Sequence, residues 1–197
     1  MRYADDFVMG FQYRADAEAF HLELGKRMRK FGLELNEEKT RLIEFGRFAA
    51  ESRAKRGEGK PETFDFLGFT HICARRRKDG RFTLLRKTMA KRLRSKVKGV
   101  AQDLRKRWHV PVPEQGKWLR SVVRGYFQYH AVPGNFQALA RFKQLVVRAW
   151  LRALRRRSHK ARGFAWARMC KLADAWLPPA RILHPYPNQR LCVSNPR

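Results

Sequence analysis

Apolar positions change their spacing once along the chain, near residue 86. Before that point they come in short runs with one helical stripe. Residues 2–11 read as a β-hairpin bent at Asp5 and Asp6. Residues 14–31 read as a helix, because Ala17, Phe20, Leu24, Met28 and Phe31 recur at three- and four-residue spacing and Gly32 is a natural stop. Residues 33–35 and 41–45 read as short strands about a turn at residues 36–40. Residues 47–62 are polar, contain Gly57, Gly59 and Pro61, and read as a surface loop. A strand is expected over 64–74, a turn at Lys78-Asp79-Gly80, and a return strand over 81–85.

Beyond residue 86 the period is helical. Leu85, Met89, Leu93, Val97, Val100, Leu104 and Trp108 form one stripe, with Lys91, Arg92, Arg94, Lys96 and Lys98 mostly off it. A second helix is expected over 113–130, with Trp118, Leu119, Val122, Val123, Tyr126 and Phe127 inward. A third is expected over 136–157, with Leu139, Phe142, Val146, Trp150 and Leu154 inward, and a shorter one over 164–176. The proline-rich stretch 178–187 should be irregular. The pattern predicts an α+β fold in three parts. Residues 1–85 form antiparallel β with one helix, 86–177 form an all-α domain, and 178–197 form an irregular tail.

Charge follows the same division. Of 197 residues, 45 are Lys or Arg and 17 Asp or Glu, a net of +28. Residues 1–70 hold 13 of each sign, whereas residues 71–197 hold 32 basic and 4 acidic residues. A fold does not require such an imbalance; a polyanionic partner explains it. Runs at Arg75-Arg76-Arg77-Lys78, Arg105-Lys106-Arg107 and Arg155-Arg156-Arg157 concentrate it. A solvated helix face normally mixes signs. Nucleic acid is the leading partner, and charge alone would equally permit DNA or ribosomal RNA. An anionic membrane would call for an amphipathic anchor or lipid site, and neither is seen.

Cys73, Cys170 and Cys192 make no Cys-x-x-Cys spacing or disulfide framework, and the six histidines lack metal-ligand spacing. No signal peptide or bilayer-spanning stretch is apparent, so a reduced, cytoplasmic protein without membrane attachment is expected.

Adjacent carboxylates repel and usually face a cation. Asp5 and Asp6 sit in an apolar run, and Tyr3-Ala4-Asp5-Asp6 resembles the polymerase motif of reverse transcriptases, in which the acids hold Mg²⁺. On four residues alone, a strand end with two solvated acids is an equal reading. Two further segments follow in order. Residues 32–40, Gly-Leu-Glu-Leu-Asn-Glu-Glu-Lys-Thr, are similar to the segment of that family whose lysine, here Lys39, lies near the leaving pyrophosphate. Phe66-Leu67-Gly68-Phe69 looks like the primer-grip hairpin, and its glycine suits close approach of a nucleic-acid backbone. Residues 124–135, Arg-Gly-Tyr-Phe-Gln-Tyr-His-Ala-Val-Pro-Gly-Asn, resemble the maturase, or thumb, signature of group II intron-encoded proteins. Tyr126 and Phe127 fall on the apolar face and read as core, whereas Tyr129 is more open.

The resemblance covers essentially the whole chain. It implies the end of a reverse-transcriptase palm followed by a thumb/maturase domain. The family activity is RNA-directed DNA polymerisation with Mg²⁺, together with binding and splicing of structured group II intron RNA. Asp5, Asp6 and Lys39 would be catalytic, with the two acids as metal ligands. Arg75, Arg76, Arg77, Lys91, Arg92, Lys117, Arg120, Arg124, Tyr129, Arg148, Arg155 and Arg156 would contact nucleic acid. The earlier palm aspartate and the fingers are not in the sequence. RNA binding without polymerisation is therefore expected of this chain alone, and a separate palm–fingers fragment is the partner that could restore activity. Two readings stay open: a piece of a polymerase, or a non-catalytic intron-binding module or decaying gene product.

Overall fold

The computed structural model describes residues 2–3, 5–157 and 160–186. The chain packs as two units, Met1–Glu62 and Thr63–Arg197.

In the first unit β1 (Arg2–Tyr3) pairs antiparallel with β2 (Asp6–Phe7), setting Tyr3 opposite Asp6. The expected hairpin exists, but only two residues long on each side. Helix α1 (Arg14–Lys30) buries Ala17 and half-buries Phe20, Leu24 and Met28, and the Phe11 ring lies 5.2 Å from that of Phe20. The helix ends with Gly32 N–H on the Arg29 carbonyl and Leu33 N–H on the Met28 carbonyl, the paired bonds of a glycine-terminated helix. Phe31, expected on the stripe, lies past the helix end and is exposed.

Two expectations fail in this unit. Residues 33–35 and 41–45 form no strands. Instead the Asn36 carbonyl and side-chain oxygen both take the Lys39 N–H, a local turn that competes with a ladder. Within the expected loop 47–62 lies helix α2 (Ala49–Lys55). Its alanines are strong helix formers, and Glu51 and Lys55 pair at 3.0 Å one turn apart. Acids and bases then match within the unit: Arg56 with Glu44 and Glu58, Arg53 with Glu58 and Glu62, Arg41 with Glu62. Such exposed pairs contribute little stability each.

The second unit opens with an antiparallel sheet, β3 (Phe64–Phe66), β4 (Phe69–Arg75) and β5 (Phe82–Thr88), in that order. The single strand expected over 64–74 is folded back by a two-residue turn at Leu67-Gly68. Both have positive φ, +48° and +78°, as tight hairpin turns that match strand twist require. Glycine adopts this freely; a leucine there costs roughly 1–2 kcal/mol. The strand β5 runs past the expected onset of helix, so Leu85 is a strand residue and α3 spans Ala90–Lys106. Trp108 lies beyond its end and is exposed. Helices α4 (Val112–His130), α5 (Phe136–Arg155) and α6 (Trp166–Trp176) follow the periodic pattern to within two residues, with a short 3-10 turn at Lys160–Gly163.

The core lies among these helices. Leu104, Leu119, Val123, Leu139, Phe142, Val146, Trp150 and Met169 are wholly inaccessible, whereas Trp118 and Val122 are only half-buried. Buried Gln115 ties three helices together. Its Nε2 donates to the carbonyls of Arg107 (2.8 Å) and Val110 (3.2 Å), and its Oε1 accepts the Trp150 indole N–H at 2.8 Å. At Gly116 the α6 residue Trp176 lies so close that a Cβ would come within 2.5 Å of its ring. Residues 178–186 have no regular structure, as expected. Leu183 and His184 donate their N–H groups to the Ala131 carbonyl, and His184 Nε2–H donates to the Gln128 carbonyl at 2.6 Å. The rest of the expected tail, with Cys192, lies outside the described residues, as do Ala4 and His159.

Candidate nucleic-acid interface

The sheet belongs to the same unit as the helices, although the change of period placed a boundary near residue 86. Its anchors explain why. Phe66 and Phe69 are buried on either side of the Leu67-Gly68 turn. The Tyr129 hydroxyl on α4 donates to the Leu67 carbonyl at 2.8 Å, and Met89 N–H donates to the Gly68 carbonyl at 3.1 Å. The Phe69 ring stacks on Tyr129 at 5.6 Å and meets His130 at 5.4 Å. At the C-terminal end of β5, where Thr88 pairs with Phe69, Asn135 Oδ1 accepts the Thr88 N–H at 3.0 Å, while its Nδ2 donates to Thr88 Oγ1 (2.7 Å) and the His130 carbonyl (2.8 Å). The four-residue turn and the segment 124–135, singled out separately in the sequence, are thus one packed assembly.

This junction is uncharged. Burial lowers the His130 imidazole below its usual range, opposed in part by its bond to the Tyr126 carbonyl at 3.1 Å. The Tyr126 ring stacks on His130 at 4.0 Å, and burial pushes its phenol up to about 12. On the sheet, His71 stacks on Phe64 at 4.7 Å, and burial lowers it too. Both imidazoles are therefore neutral at neutral pH and serve as packing.

In the first unit Asp5 and Asp6 are exposed at the short β1–β2 ribbon, and Lys39 is exposed on the Asn36 turn. Among the described residues no group of three or more His, Cys, Asp or Glu side chains is placed to hold a metal ion. The pair alone does not fit a two-ion site, whose ions, about 3.5–4 Å apart, need bridging and flanking ligands.

The cations of the second unit are mostly open to solvent. Arg75, Arg76 and Arg77 stand at the β4–β5 turn, Lys91 and Arg92 in the first turn of α3, Lys117 and Arg124 on α4, Arg148 on α5 and Arg156 just past its end, all exposed. Two of the expected contact residues, both exposed, also hydrogen-bond within the fold. Arg120 donates to the Trp176 carbonyl at 2.9 Å with its guanidinium over that ring, and Arg155 donates to the Phe164 carbonyl at 2.8 and 3.1 Å. Tyr129, though half open, uses its hydroxyl on Leu67. Lys117 pairs with Glu114, Lys143 with Asp174, and Arg76 and Arg81 flank Asp79. Three of the four acids beyond residue 70 are thereby engaged, and the large cationic excess is not neutralised within the unit.

Helix α3 sharpens the point. Its first turn carries Lys91 and Arg92, no acid, and no side-chain cap. Cations beside the positive end of a helix repel it, and a phosphate there would be doubly favoured. Sequence reading passed over Gln115 and Thr88, and took Asn135 only as the end of the segment 124–135, with no role of its own. Asn135 did carry a signal, as a cap-type residue just before a helical stripe, but its side chain turns to Thr88 rather than capping α5.

Among the described residues, no helix is long and apolar enough to cross a membrane. Comparison with protein-family models, curated proteins and solved structures finds no match to the chain.

Proposed function

We propose that this chain binds structured RNA, in the manner of the thumb/maturase part of group II intron reverse transcriptases, and assists folding and splicing of an intron. The observation that carries the reading is the charge of residues 71–197, 32 cations against 4 acids with three of those acids already paired. The meeting of the Phe66–Phe69 turn with Tyr129 supports it, since two segments that resemble the same family separately also pack together. The family's RNA-directed DNA polymerisation would rest on Asp5, Asp6 and Lys39 with Mg²⁺. The described residues bring no further carboxylate to that pair, so binding rather than polymerisation is the activity proposed here.

Filter retention of a folded group II intron RNA against random RNA of equal length tests the reading. If about five to eight cations touch phosphates, log affinity should fall against log salt with a slope on the order of −4 to −7. The folded intron should be preferred. Retention that ignores salt, or that shows no preference for the folded RNA, rejects the proposal.

A further inference from the structure

We infer that the β4–β5 hairpin is an RNA-binding arm whose tip enters the major groove of an RNA helix where a bulge or internal loop has widened it. The inference rests on the RNA-binding reading above and adds which element reads the RNA and which RNA it fits.

The tip concentrates charge as no other part of the described chain does. Residues 75–81 hold five cations, Arg75, Arg76, Arg77, Lys78 and Arg81, and every residue of the stretch is exposed. The lone acid, Asp79, faces inward on the turn. It accepts the Arg81 N–H at 3.2 Å and lies 3.9 and 3.8 Å from the Arg76 and Arg81 guanidiniums. Asp79 is shared by those two flanking cations and balances one charge of the five, while Arg75, Arg77 and Lys78 have no acid beside them in the stretch. The turn is also ordered from within, by Arg76 N–H on the Arg81 carbonyl (2.8 Å) and Gly80 N–H on the Arg76 carbonyl (3.0 Å).

The opposite end of the ribbon is fixed. Phe69 stacks under Tyr129, Thr88 is held twice by Asn135, and seven residue pairs join the strands in continuous register from Phe69↔Thr88 to Arg75↔Phe82. A cationic tip on a rigid ribbon with an anchored base is pre-organised, so little ordering cost opposes its binding.

The groove follows from shape. Two strands lie about 4.8 Å apart, and a ribbon of that kind is admitted by a groove as wide as the major groove of B-form DNA, about 12 Å; the choice of RNA comes from the RNA-binding reading above. The regular A-form major groove is too narrow and deep to be read by side chains. A helix interruption opens it. Single-stranded RNA is the weaker fit, because its recognition needs stacking platforms, and the tip stretch 75–81 contains no aromatic residue.

The test uses the full chain and the combined variant Arg75→Ala, Arg77→Ala, Lys78→Ala, with three probes: an RNA stem carrying a three-nucleotide bulge, the same stem fully paired, and the bulged stem as DNA. Wild type should prefer the bulged RNA. The variant should lose on the order of tenfold affinity for it at moderate salt, with the salt slope shallower by about 2–3, and lose little on the paired stem. Unchanged binding of bulged RNA by the variant overturns the arm, while leaving RNA binding by the rest of the chain intact. Equal losses on bulged and paired stems overturn the groove assignment, and equal binding of the DNA probe overturns the choice of RNA. If wild type shows no salt-dependent RNA binding at all, the broader reading fails first, and the arm with it.

Discussion

The Tyr129 hydroxyl hydrogen-bonds the carbonyl of Leu67 at 2.8 Å, across 62 positions of sequence. Leu67 is the one non-glycine among the described residues with positive φ, +48°. A strained turn is thus held by a side chain of another element. Strain of this size persists only where surrounding structure over-determines it, and the Phe69–Tyr129 stack and the Met89–Gly68 bond supply the rest.

Removing that hydroxyl in Tyr129→Phe should cost about 1 kcal/mol of unfolding free energy, the usual value of one hydrogen bond. Gly68→Ala should cost about 1–2 kcal/mol for its φ of +78°, not for space, because the new Cβ would sit 4.0 Å from the Tyr129 ring. Denaturant unfolding of both and of the double variant should show non-additive losses, since the two residues share one turn. Strict additivity would mean the hydroxyl does not support the turn.

Asn135→Ala should be worse. It leaves the Thr88 N–H without its acceptor in a half-buried place, at about 1–3 kcal/mol for a group left unsatisfied, while the His130 carbonyl keeps the Val132 N–H at 2.8 Å. Amide exchange at Thr88 should accelerate more than exchange in the middle of α5. Equal exchange in variant and wild type would show that Asn135 does not fasten β5.

Two glycines of α4 should respond with opposite signs. Gly116→Ala drives a Cβ to 2.5 Å from Trp176 and should destabilise by about 1–3 kcal/mol. Gly125→Ala meets nothing within 4 Å and should stabilise by about 0.4–1 kcal/mol through helix propensity and a less flexible unfolded chain. Thermal melts of the pair measure this, and the same sign for both would contradict the α4–α6 packing.

Stability should also fall in mild acid. His71 and His130 have folded pKa values lowered by burial. Below about 6.5, the ordinary histidine value, the unfolded chain takes up protons that the folded chain refuses. The stabilisation is complete above that pH and is lost as pH falls toward the folded values. Melting temperature should therefore drop from pH 7.5 to pH 5.5, and His130→Phe, which keeps the ring stack, should flatten that profile. An unaltered profile in His130→Phe would assign the effect to other groups.

The helices α4, α5 and α6 were legible because each buries a stripe wide enough to see, such as Leu139, Phe142, Val146, Trp150 and Leu154. The boundary between strand and α3 was not. Leu85 fits a strand face and a helical stripe equally, and only the ladder to Ile72 decides. Helix α2 was hidden because Gly57 reads as loop, while in the fold it ends a helix. Of the candidate site, the cationic positions could be read directly. The tasks of Arg120 and Arg155 could not, because the carbonyls they bind are supplied by residues distant in space until the chain folds. Leu67 gave no warning, since leucine has no propensity for such a turn.

The cations of residues 71–197 act on the protein itself as well as on the polyanion proposed for it. With acids so scarce, the helices repel one another in dilute buffer, and every like-charged pair raises the free energy of the compact state. Added salt shortens the reach of that repulsion to about 8 Å at physiological strength. If the chain binds RNA as proposed, the same ions that would loosen that grip would firm the fold. Bound RNA would then act as the missing set of counter-charges, so ligand and solvent ions would compete to stabilise one structure.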